Sequence, residues 1–289
     1  MSTSLDPLAP HLSLNPIADF DQLTAFPFMV NALEAGAIVA VMAGVIGWFM
    51  VLRRESFAGH TLAIMSFPGA SGAALVGLPL AAGYFAFAGA GALVIAAASQ
   101  AAGRRDDAQA SAVIGTVQAV ALGAGFVFLS LYSGILESLE SLLFGSLLIT
   151  RGQVLTLLGV AVGALVVFPV AGRRLVFASV DEEVARANGV NPHALSTVFL
   201  VVLGLAAAAT AQITGVLLVF ALLVAPAATA QDLTGRIGLG LALSVGIALV
   251  VTWVGLGLAY FTDLPVGFLV TSLAFGLLVA TRAVRVLLD

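Results

Sequence analysis

Residues 27–52 read PFMVNALEAGAIVAVMAGVIGWFMVL, and Arg53 and Arg54 follow without a break. Glu34 is the one ionisable residue in this run. At about 1.5 Å per helical residue, the run is long enough to cross a hydrocarbon core about 30 Å thick. Eight more apolar stretches follow it, at residues 61–80, 81–101, 112–132, 154–170, 194–213, 216–230, 237–259 and 267–288. Pro79 is the natural break between the first two of these. The chain of 289 residues is 61% hydrophobic and 9% charged, whereas soluble proteins average about 45–50% and 25%. One soluble core could not bury that much apolar surface, so the second solvent is lipid. The reading is an all-α, polytopic membrane helical bundle of about nine transmembrane helices, with eight as the alternative count.

The arginines orient the bundle. Arg53 and Arg54 follow the first span, Arg104 and Arg105 the third, and Arg173, Arg174 and Arg186 the fifth. Arg236 follows the seventh, and Arg282 and Arg285 close the ninth. Nine alternating spans put all of these on one side and leave Arg151 on the other. The positive-inside rule makes the rich side cytoplasmic, so the N-terminus is expected outside and the C-terminus inside.

Residues 1–26 then form an extracytoplasmic segment, without the basic start or cleavage site of a signal peptide. Interleaved apolar and acidic positions around 17–23 predict a short interfacial helix there. Residues 27–289 form the transmembrane domain. Two of its connections are longer than connection needs. The outer one, 133–152, has apolar residues at helical spacing, with acids at Glu137 and Glu140, and predicts a short helix at, or dipping into, the interface. In the inner one, 171–193, Asp181-Glu182-Glu183 is an acidic first turn, and Gly189 with Pro192 is a stop signal. A short amphipathic helix at about 181–188 is therefore expected on the cytoplasmic face. It is too small for a catalytic domain and the right size for a docking element.

Composition excludes several chemistries. The chain has no Cys, and all 11 cationic residues are Arg. That rules out disulfides, thiolate metal sites, a Walker A lysine and a Schiff-base lysine. The chain carries no nucleotide hydrolase motif and no basic nucleic-acid patch, and its net charge of −4 is small. Ionisable residues within spans are expensive and therefore functional candidates. Glu34 is either a carboxylate reaching the outer interface or a pathway-facing group, and His60 stands at the cytoplasmic start of the second span. Asp263, before Leu264-Pro265, reads as an N-cap or turn former rather than a ligand. Gln118 and Gln212 each need a partner helix or water, as helix–helix glue or pathway lining. Pro68-Gly69 and Pro226 free backbone carbonyls in mid-span, which is tolerated only against protein or a cavity. These residues are the candidates for lining a route.

Five stretches go further. Arg53-Arg54-Glu55-Ser56-Phe57-Ala58-Gly59, then Phe67-Pro68-Gly69, resembles the R-R-x-S-F-x-G…L-P-G signature of permeases of metal-importing ABC transporters. These are zinc, manganese and iron uptake systems that work with a cluster-A substrate-binding protein. Leu143-Phe144-Gly145-Ser146-Leu147-Leu148 is similar to the family's L-F-G-S-I-L. The sequence DEEVARANG at 181–189 resembles its D-P-E-x-A-x-A-x-G cytoplasmic helix. GVLLVFALLVAPAATA at 215–230 is close to its G-V-L-L-V-x-A-L-L-V-x-P-A-A-T-A, and Asp263-Leu264-Pro265-Val266-Gly267 resembles D-L-P-x-G.

The resemblance implies a type II importer permease working as a homodimer, in a bacterial cytoplasmic membrane. ATP would be hydrolysed on a separate ATPase chain, and cargo would be delivered by an extracytoplasmic binding protein. The chain itself would be no enzyme and hold no cofactor. Glu182, Glu183, Ala187 and Gly189 would belong to the ATPase-coupling helix, and His60, with Glu34, would be the metal candidates. In the family, G-D-A-x-x-H places Asp and His on one face of the second helix; this chain has His60 and Ile64 at those positions. Ser111 stands where the family has another acid. The cargo is accordingly either a divalent transition metal bound by thinner means, or a metal chelate or non-metal nutrient. A secondary transporter is the reading from another class.

Overall fold

The computed structural model describes residues 15–102, 107–132, 143–216, 219–262 and 264–288. Arg104, Arg105, Asp263 and the predicted outer helix with Glu137 and Glu140 lie outside the described residues.

A short helix, α1 (Pro16–Thr24), lies against α2 (Pro27–Leu52) where the interleaved pattern places it. Pro27 sits in the first turn of α2, where its missing N–H has no intrahelical partner to lose. Arg53 caps the helix, and Arg54 adopts a left-handed φ of 58°. The chain thereby reverses in three residues and α3 (Ser56–Leu75) begins. This helix covers 56–75 rather than the expected 61–80. Residues 56–60 join the helix, and the chain turns at Gly77, whose φ of 71° suits glycine, before reaching Pro79. Next come α4 (Leu80–Ala102) and α5 (Asp107–Leu131).

A correction falls on the predicted span 154–170 and the loop after it. The structure has α6 (Arg151–Leu165), opened by a Thr150–Gln153 capping box, and α7 (Val167–Val180), bent against it by 45°. Pro169 offers no N–H to the carbonyl of Leu165, which accounts for the bend. Arg173 and Arg174 do not stop a helix, so α7 runs on to Val180. The docking element is α8 (Glu182–Ala187). Asp181 caps it by accepting from the Val184 N–H at 2.9 Å, and Gly189 turns the chain away with a φ of 78°. Asn191 caps α9 (Pro192–Thr214) in the same way. The chain closes with α10 (Val219–Leu233), α11 (Ile237–Phe261) and α12 (Val266–Leu288).

Among the described residues six helices, α2, α4, α5, α9, α11 and α12, are long and apolar enough to cross a membrane, and the bent α6–α7 pair makes up to seven. The expected nine is not reached by this measure, because α3 and α10 fall short of it. α10 has 15 residues, and α3 is diluted by Ser, Thr, Gly and His. Both are largely buried among other helices. A helix wrapped in protein is freed from the length and apolarity that lipid demands.

The helix ends form two layers. At one, Asp232 pairs with Arg282 at 2.8 Å, Gln231 donates to the Trp48 carbonyl at 2.9 Å, and Arg53, Ser179 and His193 line one cavity. At the other, Arg151 pairs with Glu34, Asn31 donates to the Ile149 carbonyl, and the rings of Phe26, Phe28 and Tyr260 cluster. Between the layers the helices form two groups: α3, α4 and α5 pack together, as do α2, α10, α11 and α12. α9 lies against both groups, touching α2, α3 and α4. The contacts are close. A Cβ on Gly69 of α3 would fall on the carbonyl of Gly83 in α4, and one on Gly83 would fall on the carbonyl of Gly69. Small residues let the two backbones meet.

Candidate functional site

His60 lies just over one turn into α3, half-buried, with its ring edge-on to Phe220 of α10 at a centroid distance of 5.1 Å. Ile64, one turn further, is buried. Among the described residues no group of three or more His, Asp or Glu side chains is placed to hold a metal ion. Glu34 is ion-paired with Arg151 at the opposite end from His60's turn, so the two metal candidates are not brought together. Ser111 is exposed near the start of α5.

The route candidates divide. Pro68 and Gly69 are buried where α3 meets α4, with Gly125 of α5 close to the backbone nitrogen of Pro68. Pro226 is buried in α10. Gln118 accepts from the Thr61 hydroxyl at 3.0 Å and so ties α5 to α3. Gln212 of α9 has a buried amide nitrogen with no hydrogen-bond partner. On α8, Glu183 and Ala187 are exposed, as is Gly189 beyond it, while Ala185 is fully buried.

Sequence reasoning missed a polar cluster beside α8. Arg53 donates twice to one carboxylate oxygen of Glu55, from Nε at 3.0 Å and from a terminal nitrogen at 2.7 Å. Its guanidinium also lies 5.1 Å from the centre of the Phe199 ring in α9. The Ser196 hydroxyl approaches the same Glu55 oxygen at 3.5 Å. Burial pushes the Glu55 carboxyl above its ordinary value, against the opposing pull of Arg53 and Ser196. In the sequence, Arg53 reads as a topology marker and Glu55 as one letter of a motif. Their partners on α9, Phe199 and Ser196, lie about 140 residues away, beyond the reach of local pattern.

The model of the ABC 3 transport family matches residues 25–285. The chain belongs to that family. It is 28% identical over 262 residues to the manganese transport system membrane protein MntC of Halalkalibacterium halodurans, an alignment covering 89% of this chain and 88% of that protein. It is 28% identical over 249 residues to the chelated iron transport system membrane protein YfeC of Yersinia pestis, covering 86% and 83%. PsaBC from Streptococcus pneumoniae, solved in complex with a Fab, has the same fold. The TM-score is 0.81 at 24% identity, over 92% of this chain and 95% of that one. The family read from the motifs is thereby established, and the chain is a multi-pass, all-helical membrane transport protein.

Proposed function

We propose that the chain is the permease subunit of an ATP-driven importer for a divalent transition metal, manganese, iron or zinc. The observation that carries this is a family match running from residue 25 to 285, with relatives named for manganese and chelated iron transport. Two copies would enclose the route along α3 and α10, the helices that carry Pro68 and Pro226. The arginine-rich end faces the cytoplasm, the N-terminus lies outside, and nine helical passes alternate between the two layers. α8 rests on a separate ATPase chain, with Glu182, Glu183 and Ala187 toward it. An extracytoplasmic binding protein delivers cargo to the opposite face. The membrane is the bacterial cytoplasmic membrane, and the chain needs no cofactor of its own.

One observation favours a second cargo. His60 faces an aromatic ring, Ile64 offers no donor, and the described residues hold no cluster of metal ligands. A chelated metal brings its own ligands and needs none from the wall. Uptake of labelled Mn2+, Fe2+ and Zn2+, free and chelated, into cells lacking and re-expressing the chain separates the two. Free-ion uptake that depends on the chain and falls in His60→Ala supports the bare cation with His60 as a contact. Uptake of chelate alone, unchanged in His60→Ala, selects the second reading. Uptake of none of them overturns both.

A further inference from the structure

A polar cavity of about 330 Å³ lies at the arginine-rich end, bounded by the α2–α3 turn, α4, α7 and α9. Three side-chain tethers converge beside it on the first turns of α9. Ser196 reaches Glu55 of the α2–α3 turn at 3.5 Å, and Gln100 of α4 donates to Thr197 at 3.1 Å. Arg186 of α8 lies 3.2 Å from the His193 ring. Arg53, stacked over Phe199, reinforces the first of these. The docking element, α4 and the turn that opens α3 are thus all fastened to one short stretch of α9. Moreover, the second carboxylate oxygen of Glu55 is buried without any hydrogen-bond partner. A buried oxygen lacking a donor raises the free energy of the arrangement that holds it, so a shift that supplied a donor would be favoured.

We infer that Glu55 is a positioning residue that passes movement of α8 to α3 through the first turns of α9. The inference rests on the proposed coupling role of α8. A displacement of α8 pulls on His193, the first turns of α9 carry Ser196 and Phe199 with them, and these move the Arg53–Glu55 pair. Glu55 immediately precedes α3, and His60 is five positions further on. The pair holds only while Glu55 is ionised, and burial brings its titration closer to neutral pH. Glu55 is contacted by Arg53 from its own turn and Ser196 from α9, and shares its cavity with His193 of α9, Ser99 and Gln100 of α4 and Ser179 of α7; Phe199 lies against Arg53, and Arg186 of α8 against His193.

The test uses the permease reconstituted with its partner ATPase in proteoliposomes, and reads Mn2+, Fe2+ or Zn2+ taken up per ATP hydrolysed across acid to neutral pH. The wild-type ratio should fall toward acid pH as Glu55 takes up a proton and releases Arg53. Glu55→Gln should give a ratio about tenfold lower at neutral pH, the change one charge-assisted hydrogen bond carries, while ATP hydrolysis continues. Its pH profile should be flatter than that of the wild type, and Glu55→Asp should restore part of the ratio. Should Glu55→Gln fail to fold, Ser196→Ala carries the test, with a smaller fall in the same ratio. Variants matching wild type in both ratio and pH profile overturn the inference and leave the proposed function standing. A wild-type complex that hydrolyses ATP and moves none of Mn2+, Fe2+ and Zn2+, free or chelated, overturns both.

Discussion

Glu34 places a charge within an apolar run, and the bundle answers with Arg151. The side chains of Glu34 and Arg151 keep 43% and 62% of their exposure, so water screens the pair and limits its worth to about 1 kcal/mol or less. Glu34→Gln should therefore lower the thermal midpoint of the detergent-solubilised protein by no more than about 4 °C; a larger fall would mean the pair is sheltered. Gly69 is the opposite case. A side chain there has nowhere to go but into the backbone of Gly83. Gly69→Leu should cost about 1–3 kcal/mol or more by overpacking, seen as loss of the monodisperse peak in size-exclusion chromatography. Gly69→Ala should show a milder form of the same defect.

Among the described elements, α8 is the shortest and the most exposed to disruption. Ala185 is fully buried, and its N–H bonds to the carbonyl of Asp181. Ala185→Pro removes that bond and should cost the helix about 3 kcal/mol. The expected outcome is normal membrane abundance with uptake lost, checked by immunoblot against Mn2+ accumulation. Normal uptake would count against the docking role. The element was legible because its signals are local: an acidic cap, a glycine stop and a proline beyond it. The long apolar helices α2, α9, α11 and α12 were legible for the same reason, since lipid demands length and apolarity within one stretch. α3 and the α6–α7 bend were less so. Pattern reading ends a span where apolarity ends, but residues 56–60 and 171–180 are held helical by neighbours and backbone bonding that composition does not register. At the candidate site, His60 and Gln118 could be singled out by type, and the Arg53–Glu55–Ser196 cluster could not, because only folding brings it together.

At the scale of the whole molecule, the arginines offer the sharpest check. Reporter fusions at residue 15 should report an extracytoplasmic N-terminus, and fusions after residue 288 a cytoplasmic end; the reverse would invert every assignment of face. A dimer enclosing the route should also make cysteines introduced at half-buried Ala221 and Val224 of α10, in a chain with no Cys of its own, reactive toward water-soluble reagents in at least one state of the transport cycle. Protection in every state would place α10 in the packing rather than on a route. The division into two helix groups bears on how the molecule is made. α2 barely touches α3, its neighbour in the chain, and instead packs against α10 and α11, close to two hundred residues later. As the chain leaves the ribosome, α2 must therefore reside in lipid with the surface that α10 and α11 will cover still open. Meanwhile α3, α4 and α5 can already associate with one another. Nascent chains halted near residue 190 should expose α2 to lipid-soluble photocrosslinkers, and chains extended past α11 should hide it.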